Sequence, residues 1–510
     1  MAGHDIVDLL VVGGGVNGAG ILRDAVGRGL TGILVEQGDL AGATSSASTK
    51  LIHGGLRYLE YYEFRLVRAA LAEREVLLAN APHIIWPLRF VLPHEASLRP
   101  AWMIRLGLLL YDHLGGRRRL PGSHGVDLRR DPAGVPLKPS LTKGFVYSDC
   151  WVEDSRLVVL NALDAAERGA TVLTRTRCVA ARRSGGVWEA TVEDSGTGRR
   201  RSLRARALVN ATGPWAASFV QAALGLDWGH RLRLIKGSHI VVPRLYDGEH
   251  AYILQNVDRR IVFAIPYETD YTLIGTTDVP FDGDLGAVRI SPAEIGYLCE
   301  VINRHFRRTV ASADVVWSYA GVRPLYDDEA VDAAAVTRDY ALELDAAGGA
   351  PPLLSVLGGK ITTYRRLAGQ VLDKLRPHFP AAGPAWTHAA PLPGGDLPDA
   401  DFDRFLRELR ARKPWLPAAL ARRYARAYGT RVERLLGTAA ALHDLGAEIG
   451  PGLYEAELEY LRRHEWAIDA EDVLWRRSKL GLHMPEAARR RVADWFDGAA
   501  APRGREATAS

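Results

Sequence analysis

Lysine is nearly missing from this chain: only eight of its 65 basic residues are lysine, the rest arginine. Where Arg is the default, a Lys marks a place that wants a compact point charge, which draws attention to Lys50, Lys236 and Lys360. Cysteine is as scarce. Cys150, Cys178 and Cys299 are odd in number and far apart. They exclude a disulfide framework, a cysteine metal site and an iron–sulfur cluster, and they suit a reducing cytoplasm. No stretch of 18 uncharged apolar residues occurs, so no membrane-spanning helix is expected. The first residues, MAGHDIVDLL, lack the cationic start, apolar run and cleavage site of a secretory signal. There is no internal repeat, no Ser–His–Asp or metal-ligand spacing, and no paired carboxylate. The net charge of +5 and pI of about 9.0 are mild, and acids are interleaved with the bases, so no nucleic-acid partner is expected.

What is present begins with glycine. The stretch "DLLVVGGGVNGAG" places three consecutive glycines directly after an apolar run, although glycine is the costliest residue to order. Residues 9–12 predict a buried parallel strand. Gly13, Gly15 and Gly18 then form G-x-G-x-x-G, a helix is predicted over 16–28, and a second strand over 33–35 ends at Glu36. This is the full dinucleotide fingerprint. Its glycines turn the chain tightly and admit a pyrophosphate to the helix amino terminus, and its acid accepts from the adenosine ribose. The pattern does not separate FAD from NAD. The following "ATSSASTKLIHGGLRYLE" gathers hydroxyls, Lys50, His53, Gly54, Gly55, Arg57 and Tyr58, the groups that a phosphate and a polar ring require.

At 510 residues the chain predicts two or three domains. Strands are expected in "TVLTRTRCVAARR", "GVWEATVEDSG" and "RRSLRARALVNATG", the last ending beside Gly213. A run of strand-like segments from 233 to 278 implies an antiparallel sheet inserted in the first domain. A hairpin is predicted around Gly348 and Gly349. Beyond "PLPGGDLPDAD" the Arg-, Ala- and Leu-rich remainder reads as helical.

The stretches "GGGVNGAGI", "ATSSASTKLIHGGLRYLE", "YSDCWVEDSRLV", "NATGPW", "RLIKGSHIVVPR", "IGTTDV", "GVRPL" and "LGGKITTYRRLA" resemble the FAD-dependent respiratory glycerol-3-phosphate dehydrogenase family, its aerobic bacterial form in particular. The resemblance implies an α/β (α+β overall) fold. An FAD-binding Rossmann-like domain (1–80, 150–230, 335–385) would carry an inserted antiparallel-sheet substrate domain (81–149, 231–334) and a helical domain (386–510). It implies oxidation of glycerol 3-phosphate to dihydroxyacetone phosphate. Electrons would pass to ubiquinone or menaquinone from a homodimer, peripheral on the cytoplasmic face of the inner membrane. An oxidase using oxygen, an amine or hydroxy-acid oxidoreductase and an FAD scaffold without turnover are the alternatives. Cofactor contacts are expected from Gly13, Gly14, Gly15, Asn17, Gly18, Glu36, Thr44, Ser45, Ser46, Lys50, His53, Gly54, Gly55, Gly213, Gly358, Gly359 and Thr362.

The chemistry suggests roles. A flavin that accepts a hydride gains negative charge, and Lys360, at the start of a helix, offers a cation and a dipole to meet it. A phosphate suits Arg forks, for which Arg57 and Arg323 are the candidates, with Tyr58 adding a phenol. The substrate hydroxyl proton needs a base. His239 in "LIKGSHIVV" is the candidate and His53 its rival. Finally, "AWMIRLGLLLYDHLGGRRR" is apolar nearly all round a helix and ends in Arg117, Arg118 and Arg119. It reads either as an interfacial lipid anchor or as a core helix under the inserted sheet.

Overall fold

The computed structural model describes residues 6–95, 99–116, 119–227, 229, 232–256, 258, 260–326 and 340–498. Two sheets face each other across one cavity. The first has strand order Ala341–Asp345, Leu353–Leu357, Arg200–Asn210, Val7–Val12, Gly32–Val35, Thr171–Leu173, with Thr176–Ser184 and Val187–Asp194 extending the Arg200 strand. Its four central pairings are parallel. Parallel strands are covered on both faces, which explains the unbroken apolar run at 9–12. On one face lie the helices Val16–Gly27, Asp154–Glu167 and Tyr364–Leu375, whose Ile21, Leu22, Leu160 and Leu367 join Leu9 and Val11 in the largest core cluster. The Asp154–Glu167 helix buries all but its last two residues, because it is wedged between the sheet and the rest of the molecule.

The second sheet has ten strands, among them Leu51–Ile52, Ile85–His94, Lys143–Val152, Leu232–Pro243, Ile261–Tyr267, Tyr271–Gly275 and Trp317–Tyr326. It is antiparallel except where Ala251–Gln255 runs parallel to Ile85–His94. The long Leu232–Pro243 and Trp317–Tyr326 strands pair over ten residues, setting His239 opposite Tyr319 and Ile235 opposite Arg323. Helices Phe402–Arg412, Ala418–Tyr428, Glu455–His464 and Glu486–Gly498 share a separate core built on Tyr424, Tyr428, Leu458 and Leu461.

The apolar helix spans Ala101–Leu114 and buries only Leu108 and Tyr111. Its polar seam turns inward. Arg105 donates to Ser123 Oγ (2.9 Å), and Asp112 accepts from the Ser123 N–H and hydroxyl (2.8 and 2.7 Å). Trp102, Met103, Leu106, Leu109 and Leu110 are left exposed, Trp102 at 66%, and so are Tyr62 and Phe64. The expected cluster continues into Arg117 and Arg118, which lie outside the described residues. No helix among the described residues is long and apolar enough to cross a membrane.

Candidate active site

The cavity between the sheets measures about 1660 Å³. At one end the fingerprint shapes it. Gly13 adopts φ +114°, and a Cβ there would lie 2.5 Å from the Ala211 carbonyl oxygen. A Cβ on Gly18 would lie 1.9 Å from the Gly13 oxygen, so helix and turn meet at a distance only glycine permits. The helix begins at Gly15, which has no side chain to cap it, and Ser45 Oγ accepts from the Val16 N–H at 3.0 Å. Glu36 is clamped by N–H donors from Gly14 (2.6 Å) and Gly38 (2.8 Å). Burial raises its pKa, and those two donors oppose the rise.

Of the residues expected at a cofactor, Gly13, Gly15, Asn17, Glu36, Thr44, Ser45, Ser46, His53, Gly55, Gly213, Gly358, Gly359 and Thr362 line the cavity. Asn17 ties its two halves together by donating to the Gly358 carbonyl at 3.3 Å. Thr362 Oγ1 accepts from the His53 N–H at 3.2 Å. Gly14, Gly18 and Gly54 sit behind the wall. Gly54 donates to the Tyr111 hydroxyl at 2.8 Å, where a Cβ would collide with Leu71. Lys50 requires a correction. Its ammonium is fully buried, paired with Asp154 at 2.7 Å and donating to Ser46 O at 3.2 Å, and it does not reach the cavity. Its scarce point charge holds the hydroxyl loop onto the Asp154–Glu167 helix. Lys236 is likewise committed, to Glu294 at 2.9 Å.

Arg57, Tyr58, His239, Arg323 and Lys360 line the same cavity. Lys360 Nζ lies 4.0 Å from the Tyr58 ring centroid, just before the turn Ile361–Thr363. Arg323 pairs with Asp278 and donates to Thr277 O at 3.2 Å. His239 is buried, with Nε2 3.0 Å from Thr49 Oγ1 and its ring stacked on Tyr319 at 4.8 Å and 17°. Its Nδ1 finds no hydrogen-bond partner among the described residues. Burial, then the charges of Lys50 and Arg323, push its pKa well below the ordinary imidazole value. Sequence reasoning saw Thr49 only as one of the loop hydroxyls, and missed Asp278, Tyr319 and the wall residues Glu471, Trp475 and Arg476. Only Gly237, a glycine inside a strand, carried a signal: a Cβ there would lie 2.7 Å from Arg323 Nη2.

A βαβ fingerprint opening onto a cavity that is also lined by a buried imidazole and several cations defines a dinucleotide-dependent oxidoreductase. The chain belongs to the FAD-dependent oxidoreductase family, whose model matches residues 8–365, followed by the C-terminal domain of alpha-glycerophosphate oxidase over residues 385–504. It is 58% identical over 492 residues to a glycerol-3-phosphate dehydrogenase of Pseudomonas aeruginosa, covering 96% of this chain and 95% of that one. It is 53% identical over 499 residues to the D-erythritol 1-phosphate dehydrogenase of Brucella abortus, covering 98% and 99%. Among solved structures, the glycerol-3-phosphate dehydrogenase of Bacillus halodurans complexed with FAD superposes with a TM-score of 0.75 at 26% identity, covering 97% of this chain and 94% of that one. The cofactor is FAD, and the side-chain-free helix start at Gly15, left-handed Gly13 and clamped Glu36 fit its adenosine pyrophosphate.

Proposed function

We propose that this enzyme oxidises glycerol 3-phosphate at C2 to dihydroxyacetone phosphate and delivers the electrons to a membrane quinone, ubiquinone or menaquinone. The observation that carries the reading is the shared wall of Arg57, Arg323, Lys360 and His239, cations for a phosphate beside a base for a hydroxyl. FAD, when bound, supplies the acceptor for the hydride that leaves C2. Arg323 and Arg57 bind the phosphate through charge-assisted forks, and Tyr58 adds a hydroxyl. Asp278 holds the Arg323 guanidinium in place until the phosphate competes for it. His239 takes the C2 hydroxyl proton as the C–H bond breaks and the carbonyl forms. Its depressed pKa keeps it neutral at physiological pH and so able to accept. Thr49 and the Tyr319 ring fix the imidazole plane. Lys360 places a positive charge where negative charge develops.

The division of labour in this reading follows the sequence. Residues 1–80, 150–230 and 335–385 hold the cofactor, 81–149 and 231–334 the substrate, and 386–510 form the helical domain, within a homodimer. The exposed face of Ala101–Leu114 docks the protein on the cytoplasmic side of the inner membrane, where the quinone resides.

Near-equal similarity to the erythritol-phosphate enzyme favours a second reading, a four-carbon polyol phosphate in the same site. Anaerobic titration separates the two. Glycerol 3-phosphate is expected to bleach the flavin absorbance completely, and D-erythritol 1-phosphate to act weakly or not at all. Bleaching by the longer substrate alone would replace the first reading with the second, and bleaching by neither would refute both. Oxygen uptake matching turnover without added quinone would convert the dehydrogenase into an oxidase.

A further inference from the structure

One turn of the C-terminal domain, Asp472–Arg477, reaches the cavity by two routes. The first is electrostatic. Asp39, three residues beyond the ribose-binding Glu36, is buried and accepts from Arg476 Nε (2.5 Å), Arg477 Nη1 and Nη2 (2.6 and 2.8 Å) and Arg175 Nη1 (3.1 Å). Asp472 balances the cluster by accepting from Arg175 (2.6 and 2.7 Å) and Arg476 (2.5 Å). The backbone of Arg175 donates to Gly38 O at 2.8 Å, and Ala41 donates to Gly14 O at 3.0 Å. The loop that leaves Glu36 is thus held by the fingerprint on its inner side and by this turn on its outer side. The second route is aromatic. Trp475 stacks on Trp317 (4.8 Å, 24°), Trp317 meets Tyr319 (5.1 Å), and Tyr319 stacks on His239 (4.8 Å). Glu471, Trp475 and Arg476 also line the cavity directly. The turn is a π-helix, a geometry that concentrates at functional sites.

We propose that this turn is part of the FAD site: it completes the cofactor wall from the C-terminal domain and positions the loop from Glu36 to Ser46 through the Asp39 clasp. The inference extends the reading that the cavity holds FAD. It assigns cofactor binding to a segment well inside the stretch matched by the alpha-glycerophosphate oxidase C-terminal model, beyond the FAD-dependent oxidoreductase model, which ends at residue 365. Arg476 is a positioning residue in this scheme. Arg175 and Arg477 remain on Asp39 when it is removed, so its loss leaves a paired carboxylate rather than a buried orphan.

The test measures FAD affinity of the apoprotein by quenching of flavin fluorescence. Arg476→Met is expected to raise the FAD Kd about tenfold or more, and Arg476→Lys to recover part of the loss, since the charge returns without the fork. A Kd within twofold of the parent in a folded Arg476→Met protein would overturn the proposal and leave the turn a domain contact. Hydrogen exchange of the unaltered protein gives a second measurement free of any substitution. Adding FAD to the apoprotein should protect amides of residues 468–479 together with those of 36–46, and leave 402–428 unchanged. Protection of 36–46 without 468–479 would also overturn it. Both readouts concern binding, so their failure leaves the bleaching result standing, and failed bleaching leaves them standing.

Discussion

Adding one methyl group at Gly237 should cripple phosphate recognition while leaving the fold intact. Gly237 lies in the Leu232–Pro243 strand opposite Gly321, in a backbone conformation open to any residue. An alanine Cβ there would stand 2.7 Å from Arg323 Nη2 and 2.7 Å from Thr276 Oγ1. Ordinary contact begins near 3.4 Å, so the guanidinium must retreat by about 0.7 Å, and it is the movable partner because it ends a flexible side chain. Hydrogen bonds to a charged group contribute roughly 1.5–3 kcal/mol, so losing the Arg323 fork predicts a fall of about 10- to 100-fold in kcat/KM for glycerol 3-phosphate. Stability should fall by no more than about 2.6 kcal/mol: overpacking costs about 1–3 kcal/mol, against which the less flexible unfolded chain returns about 0.4–1 kcal/mol. The assay is dye-linked turnover with glycerol 3-phosphate and, in parallel, unphosphorylated glycerol, alongside a thermal melt. The preference for the phosphorylated substrate should fall by about the same factor, Arg57 retaining the remainder. A variant that keeps its kcat/KM within twofold and its preference intact would refute the assignment of Arg323 to the phosphate.

Four further expectations follow from the geometry. Lys360→Met should retain FAD, lower the flavin potential and slow reduction by roughly 10- to 100-fold, because a charge facing the developing anion is gone; unaltered stopped-flow traces would remove Lys360 from the reacting centre. In the parent, the acidic limb of kcat/KM should lie below pH ~6.5, since burial and neighbouring cations depress His239, and His239→Ala should abolish that limb; a limb that survives transfers the base role to His53 or water. His83 is buried, its ring nitrogens find no hydrogen-bond partner among the described residues, and burial, Arg156 and Arg426 lower its pKa to about 3. The unfolded chain therefore takes up the proton first, and stability present above pH ~6.5 should drain away below it by up to about 1.4 kcal/mol per pH unit, a slope that urea melts of His83→Leu should lack. Replacing Leu106 and Leu109 by Ser should weaken sedimentation with anionic vesicles while sparing dye-linked turnover; equal binding would move the membrane contact off the Ala101–Leu114 helix.

The parts of this molecule that were legible in the sequence are those set by short-range rules. The first strand, the glycine turn and the helix after it were visible because all three lie within twenty residues and each has its own signature; the helix predicted over 16–28 is found at Val16–Gly27. The strand predicted over 33–35 is found at Gly32–Val35. Lys50 was misjudged because a lysine in a hydroxyl-rich loop looks the same whether it faces a phosphate or a buried carboxylate 104 residues away. The apolar helix stayed ambiguous for a related reason. Arg105 and Asp112 mark a seam, but only their bonds to Ser123 reveal that the seam points inward and the apolar face outward. Tyr319 and Trp475 carry no local signature at all, and Thr49 shows only as one hydroxyl of a cluster. They matter through strand register and through stacking across domains, neither of which one sequence encodes visibly.

The order of strands in the nucleotide sheet also has a consequence on the ribosome. Val7–Val12 emerges first, yet it pairs with Arg200–Asn210, which in turn pairs with Leu353–Leu357. At about 5–20 residues per second, roughly 20–70 s of synthesis separates the first strand from the last. Gly32–Val35 follows at once to cover one edge of the VDLLVV segment, but the other edge waits roughly 10–40 s for Arg200–Asn210, and the wall that Gly358 and Gly359 add to the cavity comes later still. The nascent chain thus carries its first strand with one edge open until residue 210 is made, an exposed template for wrong pairing, and flavin capture waits for the wall that residues 358–362 supply.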